Sequence, residues 1–477
     1  MITPNHRLPF EILHAIFNFY SSCHKDSPLE LLWVCGSWRA IALAMPGIWS
    51  KVRLRTWTNV GKVVFILATT ATSPLHVEID VNLWPSRNSK SLLPRYAGLW
   101  QAATEAYRWR SLTISSLSSD EYLDFDSFFK TLPVAFGRPL EGLRSLKIRC
   151  GEGISLLPSI PFHDNMITDM ELSFSGMLDY IMRPQSVAVF RTLIRFKVSF
   201  TMVGSAVDIL AELHQLETLE ARGLRLPPYP VEAVLPLVHT LKYMKINDVS
   251  VQWMAGRTFY NLEECEITKP LNIEMISLGC RVNLPICTKF VYDNSTIDTL
   301  ANFCIPSLDI LTIRGNSPWL GSGELAAIWS AAPKEAALLK PRILSLDTRC
   351  HEQYLLDALS MLPELEELHL GHKSSSGLSQ RFFTSLQAKE EKGWDTQAVT
   401  HVSWLCPSLK RLNIYYSSWR LVEICDEITS ILHQVAKSRQ NVDMALQDVK
   451  FQHCMTNPMS PPWGSPVRSD PWLALCE

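Results

Sequence analysis

Along residues 8–20, apolar side chains recur at helical spacing. Ile12, Leu13, Ile16, Phe17 and Tyr20 form one stripe. Pro9 suits the first helical position, where its missing N–H is no loss, and Glu11 meets the positive end of the helix dipole. Phe10 and Phe19 lie off the stripe, so this helix carries more apolar surface than one core needs. After a turn through Ser21 to Ser27, Pro28 can open a second helix. Leu31, Leu32, Cys35, Trp38, Ile41 and Ala42 recur there at three- and four-residue steps until Met45-Pro46 breaks the pattern. Gly36 falls inside that helix and weakens it by up to ~1 kcal/mol. Ile48, Trp49, Val52 and Leu54 close a first module over residues 1–54. A unit this small buries too little surface to stand alone. It is completed either by a partner protein or by the chain that follows, which it then caps.

From residue 141 to 454 a different pattern repeats, with apolar residues in the slots of L-x-x-L-x-L. Clear copies are Leu143/Leu146/Ile148, Ile167/Met170/Leu172, Leu193/Phe196/Val198 and Leu216/Leu219/Ala221. Others are Leu241/Met244/Ile246, Leu262/Cys265/Ile267, Leu308/Leu311/Ile313, Leu365/Leu368/Leu370 and Leu409/Leu412/Ile414. Cys287/Phe290/Tyr292 is a weaker copy, and Ile343-x-x-Leu346 starts one that ends on Thr348. The central slots to 311 are spaced by 24, 26, 23, 25, 21, 25 and 21 residues, and later ones by 35, 22 and 44. Periods of 20–29 belong to leucine-rich repeats. Each unit offers one strand whose alternate residues point inward, and stacked neighbours make the continuous core that no unit has alone. The reading is therefore α/β: a small helical module joined to an irregular repeat array with a parallel strand face and helices outside. The rival is an ordinary mixed α/β domain with coincidental spacing.

Helical stretches at Ala206 to His214 and Ser379 to Glu391 lie between strands, and Pro306, Pro363 and Pro407 each stand two residues before a repeat's first slot. Residues 55–140 bridge module and array as degenerate early repeats, with strands at Pro74 to Val81 and Trp109 to Ile114. The tail, 455–477, has five prolines among Ser and Gly and reads as flexible, with Trp463 and Trp472 folding back as a cap or serving as a docking peptide.

Composition narrows the function. With 47% apolar and 19% charged residues, wholesale disorder is excluded. A net charge of −2 and no basic stripe argue against nucleic acid as partner. No apolar run approaches membrane-spanning length, and Met1 to Arg7 does not read as a signal peptide. Twelve cysteines stand singly, as reduced core thiols would, which places the chain in cytoplasm or nucleus. Nucleotide-binding glycine loops and a G-x-S-x-G elbow are missing. His369 and His372 lack a third ligand, Asp124-x-Asp126 reads as a helix start, and Lys389 to Lys392 as an exposed helix end. No catalytic, cofactor or metal residues are expected, although a site hidden in the array's loops would leave no motif.

Three blocks occur in order: Leu8-Pro9-x-Glu11-Ile12-Leu13-x-x-Ile16-Phe17, Val34-Cys35-x-x-Trp38-Arg39-x-Ile41-Ala42, and Pro46-x-x-Trp49. Together they resemble the F-box motif in the form found in the large fungal F-box family, over roughly residues 7–54. The Arg108 to Leu112 segment is similar to one that follows the F-box there. The resemblance implies a three-helix fold that binds the Skp-type adaptor of cullin–RING ubiquitin ligases. The matching adaptor-contact positions are Leu8, Pro9, Ile12, Leu13, Ile16, Phe17, Leu31, Val34, Cys35 and Trp38. The chain would then be a substrate receptor whose array holds a target protein. The alternative is a repeat scaffold whose helices only cap the array.

Overall fold

The computed structural model describes residues 8–24, 28–55, 58–80, 97–115, 140, 142–150, 167–177, 188–203, 206–225, 235–249, 251–270, 281–293, 300, 302–315, 339–375, 378–387, 405–416, 430–439 and 446–453. The chain divides into two compact units: Met1–Pro227 with Glu232–Leu237, and Pro228–Val231 with Val238–Glu477.

The first unit begins with α1 (Phe10–Cys23), α2 (Leu31–Val34) and α3 (Gly36–Leu43). A 3-10 turn, Pro46–Trp49, leads into β1 (Lys51–Leu54), α4 (Val60–Thr70), β2 (Leu75–Asp80), α5 (Ala97–Ala103) and β3 (Trp109–Ser115). Then come β4 (Ser145–Cys150), β5 (Asp169–Met177), β6 (Arg195–Val203) and β7 (Thr218–Arg225). Each strand pairs in parallel with the next in chain order. The stretch between the helical module and the regular repeats therefore carries repeats of its own.

In the second unit the order is β8 (Tyr243–Asn247), β9 (Glu264–Thr268), β11 (Lys289–Asp293), β13 (Ile310–Arg314), β14 (Ile343–Asp347), β15 (Glu367–Leu370), β16 (Arg411–Tyr416) and β17 (Asp448–His453). All described pairings are parallel. A short side pair joins β10 (Val282–Asn283) to β12 (Phe303–Cys304). One strand per repeat, parallel and in sequence, is a leucine-rich-repeat-like, solenoid-like arrangement in each unit.

The repeat slots form the core. Leu146, Leu219, Met244, Phe290, Leu311, Leu368 and Leu412 are all buried, as are their slot partners on the same strands. Each fully buried side chain of this size contributes about 1.5–3 kcal/mol. The frame also runs further than the clear copies suggest. Trp49/Val52/Leu54 and Trp109/Leu112/Ile114 are buried in the same three slots, and Leu446 and Val449 fill the first two on β17.

A second signal lies three residues before the first slot. Leu140, Phe190, Leu284, Ile305, Leu362 and Cys406 are buried there. Each carbonyl accepts from the N–H of the first-slot residue, as Leu362 does from Leu365 at 3.2 Å and Ile305 from Leu308 at 3.3 Å. The turn brings the chain into the strand, which is why Pro306, Pro363 and Pro407 stand inside it.

Two expectations need correction. On β14 the register places Leu344 opposite Leu311 and Leu346 opposite Ile313. The slots are thus Pro341, Leu344 and Leu346, while Ile343 is only half-buried. The Ile343-x-x-Leu346 frame was two residues late because Ile-Leu-Ser-Leu offers apolar residues in both phases. The expected second helix is also two pieces. Cys35 is extended at φ −165°, and its Sγ caps α3 by accepting from the Trp38 N–H at 3.4 Å. Gly36 is consequently the first residue of α3 rather than an interior one, and its cost there falls away.

Of the expected interstrand helices, Ala206–Glu212 and Gln380–Ser385 form. The latter's continuation past residue 387, Asp124 and Asp126, Lys389 to Lys392, and the 455–477 tail with Trp463 and Trp472 lie outside the described residues. Among the described residues no helix is long and apolar enough to cross a membrane.

Candidate interaction surfaces

α1 carries two apolar stripes. At about 100° per residue, Leu13, Phe17 and Ser21 share one face, and Ile12, Ile16 and Phe19 share another. The first is buried. Phe17 meets the Trp38 ring edge-on at 5.0 Å, and the Ser21 hydroxyl donates to the Ile48 carbonyl at 3.2 Å. The second stripe is exposed, Phe19 by 71%, and Leu8 and Phe10 near the helix start are exposed with it. Trp33 and Val34 on α2 are exposed too, Trp33 by 83%. Among the described residues, eight of the fifteen exposed large apolar side chains lie between Leu8 and Leu43. Single exposed apolar residues are ordinary, and it is their concentration that sets this stretch apart.

The ten positions carried by the resemblance therefore separate by burial. Leu8, Pro9, Ile12, Ile16 and Val34 are exposed, Cys35 and Trp38 half-buried, and Leu13, Phe17 and Leu31 buried. Those last three hold the exposed ones in place. Phe10, Phe19 and Trp33 join the exposed set. Phe10 and Phe19 already stood off the α1 stripe in the sequence, whereas nothing there singled out Trp33 on α2.

The module is fastened to the repeats. The Trp49 indole N–H donates to the Ala42 carbonyl at 2.8 Å, seven residues upstream. The Trp109 indole donates to Ala102, also seven upstream, at 3.2 Å. Helix, 3-10 turn, tryptophan and strand recur in the same order at both places. Lys51, on β1, donates from Nζ to the Ser21 carbonyl at 2.7 Å. Arg108, buried, donates to the Thr70 hydroxyl at the end of α4 and to the Ser73 carbonyl just past it.

A second surface is the outward side of the strands. In the first unit, register aligns Lys147, Glu171, Lys197 and Glu220 across four strands, so charge alternates along the row. Lys197 meets Glu220 at 2.8 Å, Arg149 meets Glu171 at 2.7 Å, and Arg195 pairs with Asp169. Burial pushes the Asp169 and Glu171 carboxyls up, but hydrogen bonds and charge from Arg195 and Arg149 outweigh it and hold both below the ordinary range. The second unit repeats the device: Lys245 meets Glu266, Lys289 meets Glu264 and Arg411 meets Glu367, each at 2.9 Å. Which positions face outward was not readable without the register.

No protein-family model matches the chain, and no curated protein matches it either. Among solved structures, a leucine-rich-repeat protein of Leptospira interrogans is similar at 14% identity, covering 83% of this chain and 97% of its own, with a TM-score of 0.34. The repeat assignment rests on strand order and register.

Histidine and cysteine chemistry has ordinary partners here. His369 bonds Glu367 at 2.8 Å and Asn413 at 3.1 Å. Burial pushes the Cys287 and Cys406 thiols up to about 12, which suits core residues rather than nucleophiles. Among the described residues no three His, Cys, Asp or Glu side chains gather as metal ligands.

Proposed function

We propose that this chain is a non-catalytic substrate receptor of a Skp–cullin–F-box type ubiquitin ligase. It docks on the adaptor through α1 and α2 and holds a target protein on the strand face of its repeats. That work belongs in cytoplasm or nucleus, where such ligases operate. The carrying observation is the apolar stripe of Ile12, Ile16 and Phe19, with Leu8, Trp33 and Val34, left facing solvent on a module whose own core is already filled. The three-block resemblance supplies the partner's class. The scaffold reading also has support, because Trp49 and Lys51 bind the module to β1 as a cap would be bound. A cap, however, gives no reason for a second apolar stripe pointing away from what it covers.

Co-purification of the full chain with a Skp-type adaptor tests this. The wild type forms a stable complex, and Leu8→Asp weakens it by about tenfold or more, as loss of an interface anchor does. Leu8 is exposed, so the variant should remain folded. Trp38→Ala is a poorer probe: its ring supports Phe17, and loss of a packed aromatic costs about 3–5 kcal/mol. Normal binding by folded Leu8→Asp would put the contact elsewhere. No complex with the wild type would leave the cap reading standing.

A further inference from the structure

The face formed by β4, β5 and β6 is richer in cations than the alternation implies. Lys147, Arg149, Arg195 and Lys197 stand against three carboxylates, Asp169, Glu171 and, on the neighbouring β7, Glu220, which Lys197 meets at 2.8 Å. Glu171 alone takes Arg149 at 2.7 Å and Lys147 at 3.6 Å and feels Lys197 from the next strand. The charges are also layered. The Glu171 and Asp169 side chains lie low, 16% and 24% exposed, while Arg149 and Arg195 stand above them at 55% and 68%. Anything approaching this face meets guanidinium and ammonium groups first. Ser145 and Thr218 border the same shallow groove, adding small hydroxyls and no bulk.

We infer that this face takes an acidic, extended protein segment, its carboxylates drawn to the upper layer of cations. A nucleic-acid strand fits less well. It carries a charge at every phosphate and would press some of them onto Asp169, Glu171 and Glu220. A peptide can place neutral residues over those carboxylates and acidic ones over the cations, the complementarity that selects partners. The whole chain's net charge of −2 likewise lacks the broad positive field of nucleic-acid binders. The inference deepens the receptor reading by naming the class of target. Its test contains no adaptor, so either can fail alone.

Fluorescence anisotropy with the full chain and a labelled peptide of about twelve residues, alternating Glu and Ser, is the experiment, with a Gln–Ser peptide as control. The Glu peptide binds and the control does not, and about 0.5 M salt abolishes binding because these charges are exposed. Arg149→Gln with Lys197→Gln weakens binding by about fivefold or more, circular dichroism showing the fold intact. Glu171→Gln strengthens it by about two- to fivefold, since it removes the carboxylate the cations share. A purely structural role for these pairs would make Glu171→Gln neutral or harmful, and that result would overturn the inference. So would equal binding of both peptides, an unaffected double variant, or tighter binding of a single-stranded RNA with the same sensitivity to the variants.

Discussion

Lys269 and Asp248 hold φ at 44° and 52°, in the left-handed region. Each follows a strand directly and donates its N–H to the last carbonyl of the next: Asp248 to Thr268 at 3.0 Å, Lys269 to Asp293 at 2.6 Å. Gly315 does the same after β13, donating to Asp347 at 3.2 Å. Left-handed backbone costs an ordinary side chain about 1–2 kcal/mol, and Asp tolerates it better than Lys. After the added flexibility of glycine in the unfolded chain is subtracted, Lys269→Gly should raise stability by about 0.5–1 kcal/mol. Asp248→Gly should raise it less, and urea unfolding midpoints would rank the two. This turn was hidden in the sequence because Asp, Lys and Gly share no side-chain chemistry, and the Asn usual after such strands is mostly missing. The buried Arg439 was equally hidden. It donates to the Leu386, Leu405, Cys406 and Leu409 carbonyls, backbone groups that no side-chain pattern reveals.

Register is the property that decides an element's fate here. Leu344 is fully buried and Ile343 half-buried on the same strand. Leu344→Ala should cost about 2–5 kcal/mol, whereas Ile343→Ala should cost well under half as much in the same denaturant titration. The reverse order would restore the later frame. The outward rows respond to pH instead. Asp169 and Glu171 titrate below their ordinary values, so the stability they add is present above about pH 4 and is lost as pH falls through the lowered values. Their partners Arg149 and Arg195 stand in solvent, so the amount is small, under about 1 kcal/mol for each pair. Asp169→Asn combined with Glu171→Gln should flatten the acid limb of a melting-temperature profile and leave the neutral region nearly unchanged. The inward half of each strand was legible because Leu, Ile and Phe recur at fixed slots. The outward half was not, because Ser, Lys and Glu suit any exposed position.

At the scale of the whole molecule, the exposed apolar residues crowd one end of the sequence. Without a partner, that surface should promote self-association at high concentration. Light scattering after size exclusion should show it, and Phe19→Asp with Trp33→Asp should suppress it. Unchanged association in that variant would move the cause elsewhere. The repeat architecture and the apolar surplus on α1 could be read from spacing, but the division of α1 into a buried and an exposed stripe could not. The attachment of module to repeats could not, since Trp49 serves as the last residue of one pattern and the first slot of the next. That double membership has a thermodynamic consequence. A ligand that binds only the folded state lends it RT ln(1 + [L]/Kd) of stability. Because Trp49 joins the α3 backbone to the core behind β1, a partner gripping α1 and α2 also holds the first repeats against melting. Occupancy at one end of the unit would therefore register as slower amide exchange in strands the partner never touches.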